Sequence, residues 1–88
     1  MEFDWDAANT NHIARHDITP VEAEQAVLID PLMVDVQDHE TEERVLCFGR
    51  TASGRLLTVL YTEREGKVRV VTAYPMTKEH EEIYFEGK

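Results

Sequence analysis

The chain is short of cysteine, of basic residues and of long apolar runs. Its one cysteine, Cys47, excludes an internal disulfide. Standing in the run Val45-Leu46-Cys47-Phe48, it reads as a small buried apolar residue rather than a nucleophile. No apolar run approaches the roughly 20 residues that a membrane span needs. The N-terminal stretch is acidic and has no apolar core of a secretory leader. These absences predict a soluble, cytoplasmic protein. No Gly-rich phosphate loop, no His-Glu-x-x-His motif and no Ser-His-Asp arrangement can be read from the spacing. Nothing repeats and no linker interrupts the 88 residues, so a single domain over residues 1–88 is expected.

Bases are scarce overall, 9 against 18 acids, for a net charge of −9. That argues against a simple nucleic-acid binder. The few bases are gathered in one place. Residues 44–74 hold six (Arg44, Arg50, Arg55, Arg64, Lys67, Arg69) against two acids, Glu63 and Glu65, a local charge of +4. Residues 32–43 hold five acids and no base. A cationic patch on an acidic body can hold an anion, and arginines can equally balance nearby helix carboxylates. A chain of this length buries only about 60–65% of its unfolded surface, so a partner or a second copy would add to its stability.

What is present is organised around the stretch Gly54–Pro75. Its alternating and β-branched residues predict two strands, Arg55–Thr62 and Lys67–Tyr74, joined by a tight turn at Arg64-Glu65-Gly66. Pro75 lacks an N–H for the ladder and ends the second. Ahead of this hairpin, Glu2-Phe3-Asp4-Trp5 alternates as a short first strand. Asp6 caps a helix through about Arg15, and Thr19-Pro20-Val21-Glu22 opens a second helix as a capping box. Asp30-Pro31 stops that helix. A strand over Leu32–Asp38 is expected to turn Leu32, Val34 and Val36 to the core, and Glu43–Arg50 forms the next strand. Thr77 caps a last helix from Lys78 to Glu86, closed by Gly87. The order is βααββββα: an α+β domain with an antiparallel sheet of four strands plus the short N-terminal one, and helices on one face.

Chemistry rests on Arg, Tyr, Thr and His. His12 and His16 are four apart and share a helix face, but no third metal ligand accompanies them. On the strands, Arg44, Leu46, Phe48 and Arg50 alternate to one side, as do Arg55, Leu57, Val59 and Tyr61. Such groups suit RNA cleavage without metal or cofactor. The 2′-hydroxyl attacks its neighbouring phosphate, cations stabilise the charge on the phosphate oxygens, and side chains move the protons.

The chain resembles the BrnT-like family, the toxin half of bacterial type II toxin–antitoxin pairs. The matching pieces are FDWD at Phe3–Asp6, NHIARHDITPVEAEQAV at Asn11–Val27, DPL at Asp30–Leu32, EERVLCFGRTASGRLLTVLYTER at Glu42–Arg64 and VRVVTAYP at Val68–Pro75. The resemblance implies a fold similar to RelE-type ribonucleases, an RNA substrate, an endoribonuclease activity and a ribbon-helix-helix antitoxin as partner. It also implies the site. The family's basic-His pair falls on Arg15-His16, its Gly-Arg-Thr arginine on Arg50, its Tyr-Thr-x-Arg on Tyr61 and Arg64, and its last strand arginine on Arg69. Arg50, Arg64 and Arg69 would bind phosphate, with His16 and Tyr61 transferring protons. Two places depart from the family pattern. Asp17 stands where a glycine usually follows the histidine, and the last helix is mostly acidic where arginines are common. The alternative from a different class is a non-catalytic interaction module whose acidic surface binds a basic protein.

Overall fold

The structure, a computed structural model, describes residues 1–87. Its elements are α1 (Ala7–Ala14), α2 (Pro20–Leu28), β1 (Leu32–His39), β2 (Glu42–Arg50), β3 (Leu56–Arg64), β4 (Lys67–Pro75) and α3 (Lys78–Glu86). The four strands form one antiparallel meander in the order β1-β2-β3-β4. No helix among the described residues is long and apolar enough to cross a membrane.

Local chemistry explains most boundaries. Asp6 accepts from the Asn9 amide at 3.2 Å, and the Asn9 side chain accepts from the Asp6 amide at 2.9 Å, a reciprocal cap that starts α1. Thr19 and Glu22 do the same for α2, with Pro20 at the first helical position. Glu65 and Gly66 adopt φ of 52° and 79°, the two left-handed residues that a two-residue hairpin needs between Arg64 and Lys67.

The expected N-terminal strand is not there, and the order is ααββββα. Phe3 makes a single parallel bridge to Val68, held by Asp4 N to Val68 O and Val68 N to Glu2 O, both 2.8 Å. The pairing stops because the next carbonyl along that edge, Val70 O, is already taken by Asn9 Nδ2 at 3.1 Å. The N-terminal segment must instead turn at Asp6 into the helix cap. Trp5 Nε1 then donates to Glu24 Oε2 at 2.8 Å and ties the segment to α2.

The helices also do not share one face. Cys47 and Phe48 are consecutive and point to opposite sides of the sheet. Cys47, Leu57, Val59, Val70 and Ala73 pack under α1 and α2, against Ile13, Ala23, Ala26 and Val27. Phe48 packs with Met76 and Tyr84 under α3 on the other side. Tyr84 is anchored there by its hydroxyl, which donates to Asp30 O at 2.7 Å. The helix α3 covers only one end of its face, the end near Leu32, Phe48 and Leu56.

On β1 only Leu32 reaches a core. Val34 and Val36, expected inside, are 38% and 57% exposed, and Met33 is 55% exposed. The strand lies at the sheet edge, and a bulge between Met33 and Asp35 breaks its alternation.

Gly49 is where α2 comes closest to the sheet. A Cβ there would overlap the Ala26 carbonyl, lying 2.7 Å from its carbon. At the neighbouring turn Arg55 fastens the α1–α2 connection. Its Nη1 donates to Asp17 O at 2.7 Å and to Glu22 Oε2 at 3.2 Å. Asp17 sits at φ 60°, the left-handed region that Asp enters more readily than most residues with a side chain.

Candidate functional site

The uncovered end of the α3 face carries three arginines from three strands. In the sheet register Arg44 pairs with Thr62, and Thr62 with Arg69. Arg69 reaches this face because of an irregularity. The β3–β4 register shifts between Leu60 and Tyr61, leaving Val71 as an extra residue. Without that bulge Thr62 would oppose Val70, and Arg69 would point to the helix-covered side. With it, Val70 turns fully inside and Arg69 joins Arg44 and Arg64.

These three arginines line a cleft of about 230 Å³ with Val71 and with Asn9 and His12 of α1. Glu42 bridges two of them, Arg44 Nε at 3.0 Å and Arg64 Nη2 at 3.1 Å. Arg69 meets Asp6 at 3.1 Å and Asp4 at 3.5 Å. Hydrogen bonds from Arg44, then Arg64, hold the Glu42 carboxyl below the usual carboxylate range. Arg69 and the Asn9 amide do the same for Asp6. The Asp6 hydrogen bond in turn raises Arg69, which overcomes its partial burial. Arg69 is therefore a buttressed cation, with only 14% of its side chain exposed, while Arg64 is presented at 53%. Three guanidinium groups facing three carboxylates leave the cleft nearly neutral at rest. The Arg64–Glu42 pair, with its arginine half exposed, is of the kind worth about 0–1 kcal/mol, so an incoming phosphate can take over the Arg64 donors.

Of the five residues expected in the site, Arg64 and Arg69 come together here. Arg50 does not. It lies six residues beyond Arg44 on β2, about 20 Å away at strand rise, exposed at the strand end. Its motif neighbours are structural. Gly49 admits α2, and buried Thr51 accepts from the Arg55 amide at 3.0 Å in the following turn. Tyr61 faces the opposite side, against the α1–α2 core, and burial pushes its hydroxyl up. It lines a separate cleft of about 400 Å³ with Glu42, Glu43 and Glu63, surroundings that repel phosphate. His16 lies in the turn after α1 with its ring 6.0 Å from that of Tyr74. The cleft also brings in His12 and Arg44, which the sequence pattern singles out but does not place in the site. The four-residue spacing of His12 and His16 was the available signal, because it places both on the rim that faces β4.

Among the described residues no group of three or more His, Cys, Asp or Glu side chains is placed to hold a metal ion. The sequence model of one family, described as the ribonuclease toxin BrnT of type II toxin–antitoxin systems, matches residues 5–80. The chain belongs to the BrnT family. No curated protein and no solved structure matches it. The BrnT match begins at Trp5 and runs through His80, so it takes in the cleft, the bulge and the first turn of α3.

Proposed function

We propose that the chain is the toxin of a type II pair and an endoribonuclease that needs no metal ion. The observation that carries this reading is the meeting of Arg44, Arg64 and Arg69 beside His12 in one cleft. The guanidinium groups would bind the scissile phosphate and stabilise charge on its non-bridging oxygens as the 2′-hydroxyl attacks. His12, in the cleft, would take the hydroxyl proton or supply one to the leaving 5′-oxygen, and His16, one turn on, is the second imidazole within reach of the strand. Arg50 and Tyr61 stand outside this constellation. Two helices ahead of an antiparallel meander support a RelE-like reading of the fold, with action on RNA in the cytoplasm.

For the partner we propose a ribbon-helix-helix antitoxin. Support comes from family membership and from the β1 edge, where exposed Met33, Val34 and Val36 stand among Asp35 and Asp38. The like charges there disfavour a second copy and favour a cationic segment.

A second reading, a non-catalytic interaction module, is favoured by one fact: every cleft arginine already has a carboxylate partner. Cleavage of a set of short RNAs in EDTA separates the two. Wild-type protein purified free of antitoxin should cleave, and Arg64→Ala should cleave roughly 100-fold more slowly with an unchanged melting temperature. Absence of cleavage and of growth arrest by the wild type would leave the interaction module.

A further inference from the structure

One group of aromatic rings lies beyond the cleft, and of its members the reaction proposed above would call only on His16. Tyr74 of β4 has the ring of His16, in the turn after α1, near it, with centroids 6.0 Å apart and planes tilted by 56°. His80 of α3 is the other ring beside it, at 6.3 Å and tilted by 47°. His80 is fixed from two directions. It stacks on Phe48 at 4.7 Å with an interplanar angle of 27°, and its Nδ1 shares a hydrogen bond of 3.0 Å with Thr58 Oγ1. Tyr74 is half-buried and His16 is exposed, so the group can be reached from solvent beside His16.

The row and the cleft lie along one line. Tyr74 pairs with Thr58 across the sheet, and Arg69 pairs with Thr62. Four residues of β3 separate the two, about 13 Å at strand rise. On the same rim α1 places His12 in the cleft, and the turn that follows α1 places His16 at Tyr74. A cationic cleft with aromatic rings beside it along the same edge is the pattern that holds a single-stranded nucleic acid, its backbone in the groove and its bases on the rings. A duplex would keep its bases stacked on one another and out of reach of the rings.

We propose that Tyr74, flanked by His16 and His80, is a nucleobase-stacking platform, and that the ligand of this extended site is single-stranded RNA with a phosphate at Arg64 and Arg69. This rests on the ribonuclease reading and adds the form of the substrate and a subsite. The platform binds through ring faces and not through the Tyr74 hydroxyl, so it is tolerant of base identity.

Fluorescence anisotropy with a short, labelled, fully 2′-O-methylated RNA tests this without cleavage. Three probes are compared: the single strand, the same strand with abasic positions, and a blunt hairpin. Wild type should bind the intact single strand more tightly than either of the others. Tyr74→Phe should bind as wild type does, whereas Tyr74→Leu should lose roughly tenfold for the intact strand and nothing for the abasic one. His16→Ala, at an exposed position that does not threaten folding, should show the same base-dependent loss to a smaller degree. The proposal is overturned if folded Tyr74→Leu and His16→Ala both bind the intact strand as wild type does, or if removing bases costs the wild type nothing. Hairpin binding equal to that of the single strand would also overturn it. Cleavage that depends on Arg64 but not on the rings would sink the platform alone. Base-dependent binding without any cleavage of unmethylated RNA would sink the enzyme reading alone.

Discussion

Replacing Gly49 by alanine probes the closest approach in the fold. The added methyl would overlap the Ala26 carbonyl oxygen, with the carbonyl carbon at 2.7 Å and Cα at 3.1 Å. All three atoms belong to the backbone of α2, so no side-chain rotation relieves the clash. Both partners are also locked. Gly49 is mid-ladder, paired with Leu57, and Ala26 is fully buried. The strain can be relaxed only by moving α2 off the sheet, which opens space beside Cys47 and Leu57. Overpacking usually costs about 1–3 kcal/mol, and a backbone obstruction belongs at or above the top of that range. A domain of this size has roughly 4–13 kcal/mol in total. The expected effect is therefore a loss of about 3 kcal/mol or more, equivalent to roughly 12–24 °C in melting temperature. Urea denaturation followed by circular dichroism reads it. Ala26→Gly in the same chain should not rescue, because the obstructing atoms remain. A Gly49→Ala protein within about 0.5 kcal/mol of wild type would refute the packing described between α2 and β2.

Three further outcomes follow from the contacts. Thr19→Ala removes the cap of α2 and should cost about 1 kcal/mol, read as a lower denaturant midpoint; an unchanged midpoint would mean that the cap does not hold the helix. Trp5→Ala removes a half-buried ring and its bond to Glu24, and should cost about 3 kcal/mol, the low end for an aromatic, without changing RNA cleavage per folded molecule. Acid should destabilise the fold in a defined window. The carboxyls of Asp6, Glu22 and Glu42 are held below their ordinary values of 3.8 and 4.5, so their stabilisation is full above those values and is lost as pH falls through the lower folded values. Denaturant midpoints should therefore drop below about pH 4, with a shallower drop in Glu22→Gln, and a flat profile down to about pH 2 would contradict these ion pairs.

Sequence determined the elements wherever the deciding interaction is local. Thr19 and Glu22, Asp6, Thr77, and the Glu65-Gly66 turn each act within a few residues, and the helices and the central hairpin start and stop where those residues say. The α+β class followed from the same signals. Tertiary structure decided everything that depends on what lies on the far side of a strand. Alternation along Leu32–Val36 looks like a core face, but only packing shows that β1 is a bulged edge whose residues beyond Leu32 stay exposed. The start of the chain alternates like a strand, yet Asn9, whose reach depends on how α1 docks, takes the Val70 carbonyl that a longer ladder would need. The site shows the same division. Arg64 and Arg69 could be named from the sequence, but one extra residue at Val71 inverts the parity of β4, and that inversion sends Arg69 to Arg44 and His12. Tyr61, on the neighbouring strand, is left on the other face. A side chain's direction in a sheet changes with every residue of register, so the positions lining the candidate cleft were the ones that strand alternation alone was least able to place.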